Sequence, residues 1–138
     1  MRIIFLIMIG LSMLKADFSR NATGVITDSV TNLEWQDDVS AQLINWQSAI
    51  DYCEALTIDG KNDWRLPNKN ELLSIVNHSV YNPSISSVFV NIISNRYWSS
   101  TTNIIFIDSG VYVNFYDGMT NNDLKTYDYY VRCVRAGL

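Results

Sequence analysis

NWQSAIDYCEAL, residues 45–56, is the stretch that decides the fold of this 138-residue chain. Its apolar residues recur at helical spacing and form one stripe, made of Trp46, Ala49, Ile50, Cys53 and Leu56. Asn45 precedes the stripe, and its side chain can accept a backbone amide hydrogen bond as an N-cap. The pattern predicts an amphipathic helix that carries Cys53 on its buried face.

A second, shorter helix is predicted after Pro67. Asn68 is a suitable N-cap, and Glu71, three residues later, can reach back to it in a capping box. The apolar side of this helix consists of Leu72, Leu73, Ile75 and Val76.

Strand patterns flank the two helices. Before them, residues 24–28 and 33–36 predict a hairpin. After them, the predicted strands are 97–102, 104–107, 111–115 and 127–135, with a hairpin turn at 108–110 and a loop at 119–125. Alternation in the last strand places Tyr129, Val131 and Cys133 on one face. Helices between a first hairpin and a late meander indicate an α+β fold, not a parallel sheet.

The first sixteen residues have the pattern of a secretory signal peptide. Arg2 gives a positive start, residues 3–14 are almost wholly apolar, and Ala16 is the small residue before the cut. Twelve such residues are too few to span a bilayer comfortably, which takes about 20, and an uncleaved membrane anchor is the alternative. We therefore expect an exported protein, periplasmic or at the cell surface, with residues 17–138 as a single domain.

The charge of the chain argues against polyanionic partners. The formal net charge is −4, and loss of residues 1–16 leaves 8 basic against 14 acidic residues, or −6. We therefore expect no nucleic-acid partner and, after signal cleavage, no membrane partner.

Cys53 and Cys133 are the only two cysteines. In an exported chain an even count favours a disulfide, with two buried free thiols or one reactive thiol as the alternatives. Together with His78, the only histidine, they lack the ligand spacing of a zinc site. The sequence predicts neither a metal nor a cofactor.

An ordered set of motifs covers nearly all of residues 24–137. The set resembles the DUF1566 domain, also described as the C-terminal domain of the Legionella collagen-like adhesin. The motifs are GVITD (24–28), LEWQD (33–37), Trp46 with Ala49 and Cys53, DWRLPN (63–68), NEL (70–72), YWSST (97–101), VNF (113–115) with Gly118, and YVRCVR (130–135).

This resemblance implies a compact C-type lectin-like fold, with two helices and small antiparallel sheets. In that fold a cysteine of the first helix pairs with one of the last strand, which implies the bridge Cys53–Cys133. The Glu-Pro-Asn, Gln-Pro-Asp and Trp-Asn-Asp triplets of calcium-dependent lectins do not occur here. Residues 103–110 are also too few to form the long calcium-binding loop, since a calcium ion needs six to eight oxygen ligands.

The resemblance favours a non-catalytic binding or adhesion module that recognises a carbohydrate or protein ligand. The candidate ligand-binding residues are Trp64, Arg65, Trp98, Tyr116 and Asp117, although burial in the core is the simpler role for the two tryptophans. No catalytic residue is predicted.

Two alternatives to a binding module remain. One is an enzyme on the related formylglycine-generating scaffold, which Arg65-Leu66-Pro67 and Arg132-Cys133 resemble, although Cys133 lacks the neighbouring cysteine of that chemistry. The other is a structural subunit of a cell-surface complex.

The exported protein is expected to begin at or near Asp17, because Ala16 is the nearest small residue after the apolar stretch. Intact-mass measurement of the exported protein checks this. A full-length chain recovered from the membrane fraction would contradict it.

Overall fold

The structure is a computed structural model that describes residues 17–39 and 41–137. The predicted signal peptide, residues 1–16, lies outside the described residues. In chain order the elements are β1 (Phe18–Arg20), β2 (Val25–Asp28), β3 (Leu33–Gln36), β4 (Leu43–Ile44), α1 (Trp46–Glu54), α2 (Lys69–Ser74), β5 (Arg96–Thr102), β6 (Ser109–Asn114), β7 (Met119–Leu124), β8 (Tyr129–Tyr130) and β9 (Val134–Ala136).

The strands form two small sheets. One has the order β1-β2-β3-β9, and the other has the order β4-β8-β5-β6-β7. Every pair is antiparallel except β5 with β8, which is parallel and which the sequence did not indicate. Two helices accompany these sheets, so the predicted α+β class is confirmed.

Both predicted helices are present, and each begins directly after its predicted N-cap residue. The Asn45 side chain accepts the Ser48 amide at the start of α1. At α2, Asn68 Oδ1 accepts the Glu71 amide at 2.8 Å, and Glu71 Oε1 accepts the Asn68 amide at 2.9 Å. The predicted capping box is therefore complete, and two otherwise unpaired amides at the end of a short helix are satisfied.

The strand prediction for residues 104–107 is wrong. These residues form the loop between β5 and β6, because Asn103 Oδ1 accepts the amides of Ile105 and Phe106 and turns the chain. The predicted loop at 119–125 is also wrong, since most of it is β7. That strand was missed because it is polar on both faces, which leaves no alternating pattern to detect.

β7 is an edge strand, and two of its amides have acceptors on neighbouring side chains. Asn121 Oδ1 accepts the Asn122 amide, and Asp123 Oδ1 accepts the Leu124 amide, both at 2.8 Å. The strand is thus paired with β6 on one side and bonded to its own side chains elsewhere.

The predicted last strand, 127–135, divides into β8 and β9, which belong to different sheets. Its alternation is nevertheless confirmed. Val131 and Cys133 enter one core cluster with Trp64 and Trp98. Val134 enters the other cluster, which includes Trp35, Tyr97 and Phe115. One short segment therefore contributes to both halves of the core.

Two buried interactions fix this segment. The predicted disulfide joins Cys53 of α1 to Cys133, with 5.4 Å between their Cα atoms, and both residues are fully buried. Beside it, Arg132 Nη1 donates to Asp37 Oδ1 at 2.8 Å, and Arg132 Nη2 donates to the Asn91 carbonyl at 2.8 Å. Asp37 Oδ2 accepts the Val90 amide at 3.0 Å, so the buried carboxylate has partners on both of its oxygens.

Among the described residues, no helix has the length and apolar character needed to cross a bilayer.

Replacing Cys53 or Cys133 by Ala is expected to lower the free energy of unfolding by about 2–5 kcal/mol, because the bridge closes a separation of 80 residues. Urea unfolding of the two single variants and the double variant measures this. The three losses should be similar. A second cysteine substitution that costs as much again would contradict a shared bridge, as would a Cys133 thiol that alkylates in the oxidised, folded protein.

Candidate functional site

The two candidate tryptophans lie in the core. Trp64 is 2% exposed and Trp98 is fully buried. Their indole nitrogens donate to backbone carbonyls, Trp64 to Lys61 and Trp98 to Ile44. Both rings are covered by protein and both polar atoms are satisfied, so neither side chain faces a ligand in this conformation.

Arg65 is exposed, and its guanidinium is occupied. Its two terminal nitrogens donate to the two carboxylate oxygens of Glu71, each at 2.7 Å. This bidentate hydrogen bond lowers the pKa of Glu71 and raises that of Arg65. Glu71 also completes the α2 capping box, so Arg65 supports the start of that helix.

Tyr116 and Asp117 lie together on the exposed turn between β6 and β7. The turn is closed by hydrogen bonds at both ends: Gly118 donates its amide to the Asn114 carbonyl at 2.7 Å, and Asp117 Oδ1 accepts the Met119 amide at 3.0 Å. Gly118 has φ 78° and leaves no room for a Cβ, which would come within 2.7 Å of Val76. The turn is thereby pressed against the segment that follows α2.

That segment, residues 77–88, brings a second exposed tyrosine to the turn. The Asn82 amide donates to the Tyr116 carbonyl at 2.8 Å, and the Ser84 amide donates to the Phe115 carbonyl at 2.7 Å. These bonds hold Tyr81 beside Tyr116, with ring centroids 6.4 Å apart and planes at 65°.

The two tyrosines form the centre of a surface that we call the Tyr81–Tyr116 surface. Tyr81 is 75% exposed and Tyr116 is 47% exposed. His78, Asn82 and Asp117 lie on the same two chain segments and are exposed, and their side chains can donate or accept hydrogen bonds. Exposed aromatic rings with polar neighbours are typical of a surface that binds a ligand with an apolar face and hydroxyl groups.

Two clefts adjoin this surface. One, of about 320 Å³, includes Val76, Asn77 and His78 in its lining. The other, of about 410 Å³, includes Asn77, Val80 and Pro83. Asn77 lines both clefts, so they meet at the start of segment 77–88, which carries Tyr81.

A rigid support lies beneath the exposed rings. Phe115, next to Tyr116, is fully buried and packs edge-on against Tyr97 with ring centroids 5.2 Å apart. Burial raises the pKa of Tyr97, whose hydroxyl accepts the Ile93 amide at 2.9 Å. Tyr116 therefore directly follows Phe115, a residue that is anchored in the core.

The structure brings together only two of the five predicted ligand-binding residues, Tyr116 and Asp117. Tyr81 and His78 lie on the same surface, and neither was among the predicted ligand-binding residues. The dipeptide Asn82-Pro83 is a turn signal directly after Tyr81, and it could have identified an aromatic residue displayed at a turn.

No metal site is evident in the part of the chain that the structure describes, since no three His, Cys, Asp or Glu side chains cluster there. Asp37 and Asp38 are adjacent acidic residues, a pattern that can suggest a pair of catalytic carboxylates. The Asp37 carboxylate, however, is paired with Arg132 inside the protein.

The model of the Lcl C-terminal domain family matches residues 24–135, so the chain belongs to that family. A search of curated proteins found no significant match. The family is of the DUF1566 type that the motifs indicated and is associated with an adhesin. Membership therefore indicates a cell-surface or exported protein.

Replacing Glu71 by Gln is expected to lower the free energy of unfolding at pH 7 by about 0.5–1 kcal/mol, since the partner Arg65 is half exposed and solvent weakens the pair. The folded-state pKa of Glu71 is depressed. Its contribution is therefore complete above the unfolded value of about 4.3 and is lost as the pH falls through the folded value.

Urea unfolding at pH 7 and pH 3 tests this, with Glu54→Gln on exposed α1 surface as the control. The Glu71→Gln deficit should shrink at pH 3. An equal deficit at both pH values would contradict the ion-pair assignment.

Proposed function

We propose that this protein is an exported, non-catalytic binding module that recognises a carbohydrate at the Tyr81–Tyr116 surface. The observation that carries the proposal is the exposed pair of tyrosine rings, held in place by backbone hydrogen bonds between two chain segments. Ordering these rings costs little on binding, because the segments that carry them are already fixed.

The chemistry of the surface favours a sugar over an apolar ligand. A sugar ring presents C–H groups on a face and hydroxyls around its edge. Tyrosine rings pack against the C–H face of the sugar. The Asp117 carboxylate, the Asn82 amide and the His78 imidazole exchange hydrogen bonds with its hydroxyl groups. An apolar ligand would leave these polar groups without partners.

The charge of the surface favours a neutral glycan. Asp117 is acidic, and the surface as defined contains no Lys or Arg. Residues 17–138 carry 8 basic and 14 acidic side chains. A sulfated polysaccharide would meet repulsion from both the local carboxylate and the overall charge.

The proposal includes a C-type lectin-like scaffold. It is supported by the bridge from α1 to the segment before β9, and by the pairing of the first hairpin with β9 through β3. The enzyme alternative on the formylglycine-generating scaffold needs a reactive thiol, and here both cysteines are consumed in the disulfide.

Binding to an array of neutral and sulfated glycans, followed by titration calorimetry with the best neutral glycan, tests the proposal. Tyr81→Ala and Tyr116→Ala are each expected to weaken that binding by about tenfold, through loss of aromatic contact area. The matched control is Tyr127→Ala, which removes another half-exposed tyrosine away from the surface.

A neutral glycan whose binding the Tyr81→Ala and Tyr116→Ala variants leave unchanged would overturn this site. Capture of only sulfated glycans, or only of a protein ligand, would overturn the ligand class.

A further inference from the structure

The loop between β5 and β6 exposes four consecutive apolar side chains. Ile104 is 94% exposed, Ile105 75%, Phe106 64% and Ile107 71%. Single exposed apolar residues are ordinary on protein surfaces, whereas a contiguous apolar patch marks an interaction site. These four side chains project from one turn, so the patch is convex.

Hydrogen bonds hold the backbone of the loop, although its four apolar side chains are largely exposed. Asn103 Oδ1 accepts the amides of Ile105 and Phe106, both at 2.9 Å. The Ser109 amide donates to the Phe106 carbonyl at 2.8 Å, and the Asn103 amide donates to the Ser109 carbonyl at 2.9 Å. These bonds pair the amides of Asn103, Ile105 and Phe106 and the carbonyl of Phe106 within the loop, while the apolar side chains are exposed.

Residue types that are common at membrane interfaces lie near the base of the loop. Lys125 Nζ donates to the Ile107 carbonyl and to Thr102 Oγ1, each at 2.9 Å. The same ammonium lies 4.0 Å from the centre of the Trp46 ring. Tyr127, two residues after Lys125, is half exposed, and its amide donates to the Leu124 carbonyl. Trp, Tyr and Lys are the side chains that collect at the boundary between lipid and water.

We propose that this loop docks the protein on a lipid bilayer by inserting Ile104–Ile107 into the interface, with Lys125, Trp46 and Tyr127 at headgroup depth. A convex apolar tip enters the interfacial region of a bilayer, where water and headgroups still reach its remaining backbone groups, without needing a matched groove. The Lys125 ammonium lies on the partly buried Trp46 ring at the base of the apolar tip. This combination favours a bilayer over a groove on another protein, because an apolar tip above a Trp and Lys boundary matches the order of acyl chains and headgroups.

The charges at the base favour zwitterionic lipid. Lys125 lies next to the exposed Asp108, whose carbonyl accepts the Lys125 amide at 2.9 Å. A zwitterionic headgroup offers a phosphate to Lys125 and an ammonium to Asp108. A strongly anionic surface would repel a chain with an excess of acidic residues. The expectation of no membrane partner came from that overall charge, which weighs against anionic lipid.

The lipid contact is independent of the glycan proposal. Loop 103–108 precedes β6 and the Tyr116 turn follows it, so the two sites lie at opposite ends of a six-residue strand, about 17 Å apart. Both sites can therefore be occupied in one molecule.

A label in the loop tests the proposal in the full chain. Both native cysteines are in the disulfide, so Ile105→Cys provides a single site for an environment-sensitive fluorophore. With phosphatidylcholine vesicles, the label should shift its emission to shorter wavelength and should be quenched by lipids that carry a quencher in the acyl chain. Met119→Cys, 65% exposed at the other end of β7, is the matched control and should not respond.

A second variant removes the tip. Ile104→Ser with Phe106→Ser is expected to lower vesicle partitioning of the labelled loop by at least about tenfold. Absence of a response at position 105, or an equal response at positions 105 and 119, would overturn the proposal, the latter because another segment would then hold the chain on the vesicle. A response only to an added protein would overturn it in favour of a protein groove. Loss of glycan binding in the Tyr116→Ala variant would leave these results unchanged.

Discussion

The buried contact between Arg132 and Asp37 is the interaction on which the rest of the structure depends. Arg132 lies between β8 in one sheet and β9 in the other, and its guanidinium also bonds the Asn91 carbonyl. An unpaired charge at either position would be costly inside the protein, so the two side chains specify each other's location. The adjacent Cys133 ties the same segment to α1. Together they hold two small sheets in one arrangement, although neither sheet has a large core of its own.

The two proposed binding regions depend on this arrangement in different ways. The Tyr81–Tyr116 surface needs two distant segments in register, because the turn after β6 is bonded to the segment that follows α2. The β5–β6 loop is largely self-contained, since Asn103 and Lys125 provide its hydrogen bonds. A destabilised variant should therefore lose the tyrosine surface before it loses the apolar loop.

Local signals in the sequence carried much of the fold. Both helices follow from caps and apolar spacing, and the alternation of residues 129–134 correctly separates the two core clusters. Prediction from the sequence failed where the same residue pattern fits two different structures. Residues 104–107 are as apolar as a buried strand, and only the position of Asn103 shows that they form a turn. The site was harder to predict, because Tyr81 and Tyr116 are 35 positions apart and no periodicity relates them.

The edge strand β7 has a consequence for the behaviour of the protein among its own copies. An open strand edge presents free amides to any extended chain, which is how sheets join and aggregate. In β7 the amides of Asn122 and Leu124 are already bonded to the neighbouring Asn121 and Asp123 side chains. A second molecule would have to break these bonds before it could add a strand. These two short side chains therefore hinder the joining of β7 to a strand of a second copy.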